Sequence, residues 1–305
     1  MSASISKPAV AVSAKAPSQA RQNLIGKVAQ YALHAVLCAF FLFPLLFMFV
    51  SAFKSDEAQL LRDMSSLWAF VPSGNLSLQN FSDVFERTPF IRAFSNSLFT
   101  VSLTVVLGIL VNSMLAYALA RFQFRGRNLL LSVVVALIII PFEAIAVPLL
   151  LLSNKLPWFS GDLGWLDSYQ VQIIPFIANA FSVYLFYQFF IALPKDLEEA
   201  ALMDGAGRFR IYWSIVLPLS KPVIATVAVL QFLARWGDLL WPVMVVRGDT
   251  YSTLPLAMQT FFGQYPRQWG DVMAFAAMAT LPTLLVFLIF QRWFVRSAIS
   301  SGIKG

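Results

Sequence analysis

Residues able to do acid–base, redox or metal chemistry are scarce in this chain of 305 residues. It contains one histidine, His34, and one cysteine, Cys38, four positions apart in an apolar run. One cysteine cannot form an internal disulfide, and the two residues together cannot build a Cys/His zinc site. A Ser-His-Asp triad would have to use His34 inside that run. We therefore expect no catalytic residue, no metal site and no cofactor.

A second group consists of charged residues inside otherwise apolar stretches. Arg235 and Asp238 are three positions apart, so they share one face of a helix. Ionisable residues within a membrane are costly and face the protein interior or water. The pair therefore either fixes helix packing by mutual neutralisation or lines a gate or translocation path. Trp236, beside the pair, is either a solute-stacking residue or an ordinary interfacial Trp.

Glu143 is the one charged residue of another apolar stretch, 128–154. It follows Pro141, and Pro148 lies further along. Two prolines predict a kinked helix, because proline removes a backbone hydrogen bond and clashes with the preceding turn. Glu143 then either bonds to backbone groups that the prolines free or faces a water-filled cavity of a pore.

The segment 194–207 contains signals for a short helix. Asp196 is expected to cap it, and Glu199 lies three residues later, as in a capping box. Gly205 and Gly207 are expected to end the helix by taking a positive φ.

The helix predicted from these signals covers about residues 197–204 and has only two turns. Such a helix is not stable alone in water, so it must pack against another surface. The small side chains of Ala200 and Ala201 allow that surface to approach closely. Asp204 opposes the helix dipole, which indicates a cationic or N–H partner. The alternative is a solvated connector with ordinary caps.

The elements that position these residues must span a membrane, because the composition is that of a membrane protein. Apolar residues make up 59% of the chain, charged residues 12%, and the mean hydropathy is +0.73. Soluble domains are about 45–50% apolar and about 25% charged. This composition excludes a cytosolic globular enzyme and also excludes disorder over most of the chain.

Six low-charge stretches each reach the roughly 20 residues that a helix needs to cross a bilayer. They are residues 28–53, 93–120, 128–154, 168–194, 222–246 and 272–291. The strands of a membrane barrel would be shorter and would alternate strictly between apolar and polar residues. We therefore predict an all-α polytopic membrane protein with six transmembrane helices.

Basic residues in the connections predict the orientation of these helices. With the N-terminus inside, the inside segments hold 14 of the 22 Lys and Arg residues and the outside segments hold seven. Cytoplasmic loops carry such an excess. We therefore place both termini in the cytoplasm, and the net charge of +7 does not require a nucleic-acid partner.

Two parts are predicted along the chain. Residues 1–27 contain four basic residues and no acid, and we expect a flexible basic cytoplasmic tail. The apolar run that follows is too long for a cleavable signal peptide. Residues 28–305 are expected to form the six-helix membrane domain.

A spaced motif lies between the fourth and fifth predicted helices. It resembles the EAA motif of ABC importer membrane subunits, Glu-Ala-Ala-x3-Gly-x9-Ile-x-Leu-Pro. Every defined position is filled, by Glu199, Ala200, Ala201, Gly205, Ile215, Leu217 and Pro218. Residues 78–81, 121–126, 236–242 and 302–305 are similar to segments of the carbohydrate-importer branch, the maltose-permease second-subunit type. Gly237 departs from that branch, which often has Asn there.

The resemblance implies a permease domain that forms half of a translocation pore and couples to a separate ATPase through a cytoplasmic helix at about 195–207. The coupling residues implied by the motif and its helix are Glu199, Ala200, Ala201, Asp204, Gly205 and Gly207. The chain has no Gly-x4-Gly-Lys-Ser/Thr phosphate loop, so ATP hydrolysis is expected on another chain. The implied partners are two ATP-binding cassette subunits, a second homologous permease subunit and a solute-binding protein, in the inner membrane of a prokaryote.

Two other functions compete with this interpretation. A polytopic membrane enzyme would need clustered acids, His or Ser nucleophiles at one membrane face, and no such cluster is seen in the sequence. A stand-alone channel or carrier leaves the EAA motif unexplained. Among importers, a permease for a non-sugar solute stays open.

Overall fold

A computed structural model describes residues 19–157 and 164–302. These residues fold into α-helices joined by short connections, which confirms the all-α prediction for this part of the chain. The first half contains α1 (Gln19–Ala52), α2 (Glu57–Asp63), a 3-10 helix (Leu67–Phe70), α3 (Gln79–Arg87), α4 (Phe90–Arg121), α5 (Arg127–Ile139), α6 (Phe142–Lys155), α7 (Tyr169–Ile177) and α8 (Ala180–Ala192). The second half contains α9 (Asp196–Met203), α10 (Arg208–Ile211), a π-helical turn (Tyr212–Val216), α11 (Leu217–Leu219), α12 (Lys221–Trp236), α13 (Leu240–Val245), α14 (Leu254–Phe262) and α15 (Trp269–Gly302).

Length and composition identify four helices able to cross a membrane: Gly26–Ala52, Phe90–Arg121, Tyr169–Ala192 and Trp269–Gln291. Two further pairs of helices are sharply bent, Arg127–Ile139 with Phe142–Lys155 at 105° and Arg208–Leu219 with Lys221–Trp236 at 76°. The described residues therefore hold six spans if each bent pair counts as one. Each of the six predicted stretches overlaps one of these helices or pairs.

Two boundaries differ from the sequence expectation. α1 begins at Gln19, so it includes the last nine residues of the predicted tail, and residues 1–18 lie outside the described part. The fifth predicted span is interrupted after Trp236, before Pro242. The carboxylate of Asp238 accepts a hydrogen bond from the N–H of Trp241 at 3.4 Å, which favours a new helix start. Pro242 then lies in the first turn of α13, where its missing N–H is tolerated.

α4 is the central helix of the fold. It packs on α7, α8, α12 and α14, and it contributes residues to two apolar clusters. One cluster joins α4 to α12, α14 and α15, and the other joins α4 to α8 and the π-helical turn. α1 packs mainly on α15, and most of its apolar side chains are exposed, as expected for a surface in contact with lipid or another subunit.

The connection from α1 to α4 is a folded cap. Lys54 is buried, and its Nζ donates to Asp63 Oδ2 at 2.6 Å and to Trp68 O at 2.8 Å. Asn80 closes the end of α1 by donating to the carbonyls of Ala52 and Lys54, each at 2.9 Å. These buried side-chain bonds hold α2, the 3-10 helix and α3 against the end of α1.

Candidate functional site

α9 lies between the fourth and fifth spans, where the sequence predicts a short helix. Its first turn holds Asp196, Glu198 and Glu199, and their negative charges favour the N-terminal end of the helix dipole. The expectation that Asp196 caps the helix is wrong, because the helix begins at Asp196 and Lys195 is the N-cap, without a side-chain cap. Attraction between the three acids and the dipole stands in place of the cap.

The C-terminus of α9 is closed by backbone hydrogen bonds. The N–H of Ala206 donates to Ala201 O at 2.9 Å, and the N–H of Gly205 donates to Leu202 O at 3.0 Å. This pattern is a Schellman motif, which requires a left-handed residue. Gly205 supplies it with a φ of 79°, as predicted. Gly207 does not, because its φ is −72° and it serves as the N-cap of α10.

A buried ion pair anchors α9 to the end of α4. Glu198 Oε1 lies 2.6 Å from Arg121 Nε, and the two side chains are only 7% and 5% exposed. The Tyr117 hydroxyl donates to Glu198 Oε2 at 3.1 Å, and Arg121 Nη2 donates to Leu193 O at 2.8 Å. The pair therefore joins the end of the second span to α9, and the two additional bonds satisfy Glu198 Oε2 and Arg121 Nη2.

The opposite face of α9 is exposed. Among the residues that the motif and its helix indicate, Ala201 packs against the apolar cluster that joins α4 to α8 and the π-helical turn. The exposed ones are Glu199, Ala200, Asp204, Gly205 and Gly207. Met203 is 89% exposed beside them. The Asp204 carboxylate has no hydrogen bond or ion pair in the described part of the chain, so its expected partner is not found there. α9 therefore exposes small, acidic and apolar side chains on the surface of the protein.

The second half of the motif turns back toward the membrane helices. The Tyr212 and Ser113 hydroxyls are 2.7 Å apart and tie the π-helical turn to α4. Within the turn, the N–H of Leu217 donates to Tyr212 O, five residues earlier. Ser220 then marks the 76° bend into α12, and its hydroxyl donates to Val216 O at 2.6 Å. α9, α10 and α11 thus form one segment that leads directly into the fifth span.

Arg235 and Asp238 form the second group of candidate site residues. Arg235 Nη1 lies 3.0 Å from Asp238 Oδ2, with side chains 21% and 14% exposed. The Arg235 guanidinium also lies 3.9 Å from the centre of the Phe176 ring. Arg235 thus joins the end of α12 both to Asp238 and to α7.

A cavity of about 360 Å³ borders Arg235 and two of the interruptions of the spans, those between α5 and α6 and between α7 and α8. Irregular backbone at membrane depth is tolerated where it is buried or lines a cavity. Gln231 also lines the cavity and is 7% exposed. Its Nε2 donates to Ser182 Oγ at 3.0 Å, whereas its Oε1 is buried without a hydrogen-bond partner in the described residues. Thr104, Asn179, Gln231 and Arg235 are the polar residues of the cavity lining.

Glu143 and Trp236 lie outside this cavity lining. Glu143 is exposed in the first turn of α6, directly after the bend that Pro141 begins. Trp236 is buried and stacks on Phe232, with ring centres 5.3 Å apart, while its Nε1 donates to Ala279 O at 3.0 Å. The structure thus brings Arg235 and Asp238 together and places Trp236 in the core.

Comparison with known proteins identifies the chain's relatives. Residues 105–300 match the family described as "Binding-protein-dependent transport system inner membrane component". The chain belongs to this family. It is therefore an inner-membrane transport component, as the EAA motif implies.

Two relatives align with nearly all of this transport component. The "Arabinooligosaccharides transport system permease protein AraQ" of Halalkalibacterium halodurans is 35% identical over 264 residues, covering 86% of this chain and 91% of that protein. The "sn-glycerol-3-phosphate transport system permease protein UgpE" of Yersinia pestis is 34% identical over 270 residues, covering 85% and 91%. A chain of a bacterial ABC transporter involved in the import of the acidic polysaccharide alginate has the same fold, with a TM-score of 0.77 at 22% identity, over 92% of this chain and 100% of that chain.

Sequence reasoning missed the residues that hold this transport component's site in place. The motif points to Glu199, whereas Glu198 forms the buried ion pair. The signal for it in the sequence is Arg121, a basic residue at the end of a span with no acid nearby. Trp241 is a second residue of this kind, because its Nε1 donates to Val171 O at 2.8 Å. In a regular helix the Val171 carbonyl would accept a hydrogen bond from the residue four positions later. That residue is Pro175, which has no N–H, so Trp241 takes its place.

Proposed function

We propose that this transport component forms half of the translocation pore of an ATP-driven importer and couples to a separate ATPase through α9. The observation that carries the proposal is α9 itself, a two-turn helix with one buried, ion-paired face and one exposed face of small and acidic residues. A short helix of this kind needs a partner surface. The chain has no phosphate-loop motif, which supports ATP hydrolysis on another chain.

The contact with the ATPase is proposed to involve the exposed residues Glu199, Ala200, Asp204 and Gly205. Ala201 is proposed to pack the inner face of α9 against the apolar cluster, and Gly207 to begin the next helix as its N-cap. Asp204 then finds in the ATPase the cationic or N–H partner that it lacks here. Because α9, α10 and α11 lead into α12 through one bend, a movement of α9 is transmitted to the fifth span.

Arg235 and Asp238 are proposed to line the translocation path or its gate. Their position between the cavity and the break after Trp236 supports this role. Glu143, exposed at the bend between α5 and α6, is proposed to face the same path. Trp236 is proposed to act indirectly, by holding the end of α12 in the core.

The proposed solute is a carbohydrate or a related polar compound. Two lines support it: the similarity of three internal segments to the carbohydrate-importer branch, and the relative AraQ, whose name refers to arabinooligosaccharides. A non-sugar solute is the second candidate, because UgpE, named for sn-glycerol-3-phosphate, is almost equally similar. Membership of a transport family argues against the membrane-enzyme alternative.

The complete importer is proposed to contain two ATP-binding cassette subunits, a second homologous permease subunit and a solute-binding protein, with both termini of this chain in the cytoplasm. The dependence of the family on a binding protein supports the last partner. The exposed apolar face of α1 supports contact with lipid or with a second permease subunit.

The coupling role of α9 is tested by Gly205→Asp. A Cβ at this position meets no atom within 4 Å, but the φ of 79° disfavours any side chain and the new charge lies on the exposed face. We expect the tagged variant to lose its co-purifying ATPase and to abolish uptake of a labelled arabino-oligosaccharide. Solute capture by the binding protein is expected to be unchanged.

Gly248→Asp is the matched control. Gly248 has a φ of 74° and equally open surroundings, but it lies in the connection between α13 and α14. The control carries the same strain and charge and is expected to retain the ATPase. Normal ATPase co-purification together with normal uptake in Gly205→Asp would show that α9 is not the coupling element.

A further inference from the structure

A basic cavity separate from the Arg235 cavity lies beside the N-terminus of α9. Its volume is about 520 Å³, and it is bounded by the end of α4, the start of α5, the end of α8 and α9. Four basic residues line it: Arg121, Arg127, Lys195 and Arg208. The transport mechanism proposed above uses none of the last three.

The charge of this cavity is not balanced by the chain. Arg121 is neutralised by Glu198, with their atoms 2.6 Å apart. Arg127, Lys195 and Arg208 remain, against the single carboxylate of Glu199, and none of these four side chains has an ion-pair partner among the described residues. In addition, Arg127 Nε is buried without a hydrogen-bond partner there. Three basic side chains against one carboxylate suit the cavity to an anion that accepts charge-assisted hydrogen bonds.

The level of the cavity along the spans indicates which anion. The basic side chains come from positions where apolar helices end or begin, with Arg127 opening α5 and Lys195 following α8. Ile191, in the last turn of α8, also lines the cavity, so its wall is partly apolar. Phospholipid phosphates lie at this boundary, and basic pockets between membrane helices on the cytoplasmic side bind anionic headgroups.

We propose that this cavity binds the phosphate of an anionic phospholipid through Arg127, Lys195 and Arg208. Free phosphate shares the same chemistry, but the apolar wall and the position at the ends of the spans favour a lipid. Because Lys195 is the N-cap of α9, the bound headgroup ties the lipid to the base of that helix. The position of the coupling helix then depends on the anionic lipid content of the membrane.

The test measures lipid retention by the assembled importer. The complex is purified through a tag on this chain, reconstituted in nanodiscs of phosphatidylcholine with increasing phosphatidylglycerol, extracted into detergent, and analysed by native mass spectrometry for bound phosphatidylglycerol. Arg127→Gln and Lys195→Gln are each expected to weaken retention roughly fivefold, and the double variant more, from the contribution of one basic residue near a membrane surface. Arg125→Gln is the matched control, because Arg125 is exposed in the same connection and does not line the cavity.

Several outcomes would overturn the proposal. Unchanged retention in the double variant, or an equal loss in Arg125→Gln, removes the lipid site. Displacement of phosphatidylglycerol by millimolar inorganic phosphate assigns the cavity to the free ion. Loss of the ATPase with unchanged lipid retention assigns it to an acidic segment of that subunit. Size-exclusion profiles and helical circular dichroism confirm that each variant is folded, and the lipid readout does not depend on solute uptake.

Discussion

The Glu198 and Arg121 side chains form an ion pair almost completely removed from solvent. Burying two charges costs several kcal/mol for each ion, which their attraction offsets only when the remaining hydrogen-bonding groups are satisfied. Tyr117 and the Leu193 carbonyl supply those bonds. A pair of this kind contributes little net stability but penalises every position of α9 that separates the charges. It therefore fixes where the helix lies.

This gives a prediction for Glu198→Gln. The substitution leaves the Arg121 charge buried without its partner, at a cost of about 3–5 kcal/mol, and we expect a clear drop in the melting temperature of this chain purified in detergent without the ATPase. Glu199→Gln, one residue further along on the exposed face, is expected to leave the melting temperature unchanged.

A double-mutant cycle separates the ion pair from other effects of these substitutions. Arg121→Gln with Glu198→Gln removes both charges together, so the double variant is expected to be less destabilised than the sum of the single variants. If the two single effects simply add, the two side chains do not act as a pair and the anchor described for α9 is wrong.

The same residues mark how far the sequence predicts the site. The motif identifies the segment and the glycine that ends α9, because Gly205 has a backbone requirement that few residues meet. It does not show which of Glu198 and Glu199 faces inward. Adjacent residues differ by about 100° around a helix, and two turns hold too few apolar positions to define the buried side. Glu198 is the inward-facing one because Arg121, at the end of α4, lies next to it.

Interruptions of the spans are the main feature at the level of elements. Between α7 and α8 the backbone is interrupted at Ala178 and Asn179. The Asn112 side chain spans this gap, since its Nδ2 donates to Ile177 O at 2.9 Å and its Oδ1 accepts from the Asn179 N–H at 2.9 Å. Backbone groups freed inside a membrane need such partners. The Asn112 side chain therefore joins α4 to the interruption between α7 and α8.

Asn112→Leu tests this support. The variant keeps the size of the side chain but orphans one donor and one acceptor, at about 1–3 kcal/mol for each buried group. We expect a lower thermal unfolding temperature by circular dichroism, and Asn112→Asp, which keeps the acceptor but buries an ionisable group within the span, should lower it as well. Val111→Leu, on an exposed position of the same helix, serves as the control. Equal unfolding temperatures for all three variants would mean that the break does not need Asn112.

The sequence predicts spans better than it predicts interruptions. A span is defined by about 20 residues without charge, so its signal is summed over a long window. An interruption depends on one or two residues and on their partners elsewhere. Pro141 predicts the bend between α5 and α6 and lies at that bend. Pro175, by contrast, lies inside α7, and the interruption comes only after Ile177. The break after Trp236 follows from Asp238, whose capping bond is not visible as a pattern.

The whole molecule is asymmetric between its two sides. The connection 54–92 ties several elements together: Glu57 accepts hydrogen bonds from the N-terminal N–H groups of α15, and Arg87 Nη1 lies 2.5 Å from the buried Asp271. On the opposite side, α9 is anchored chiefly by one ion pair and leaves most of its surface exposed. In the proposed importer, the side with the folded cap receives the binding protein and the side with α9 contacts the ATPase.

The orientation of this asymmetry is the last prediction. With 14 basic residues on one side and seven on the other, the folded cap is expected outside and α9 in the cytoplasm. Cys38→Ala removes the single cysteine, and Ser65→Cys or Gln123→Cys then places one thiol in an exposed connection on either side. In intact spheroplasts, a membrane-impermeant maleimide should label Ser65→Cys at once and Gln123→Cys only after permeabilisation. The reverse labelling would put the cap in the cytoplasm and α9 outside the cell membrane. There α9 would have no access to ATP-hydrolysing subunits, and both the topology and the coupling role proposed for α9 would be wrong.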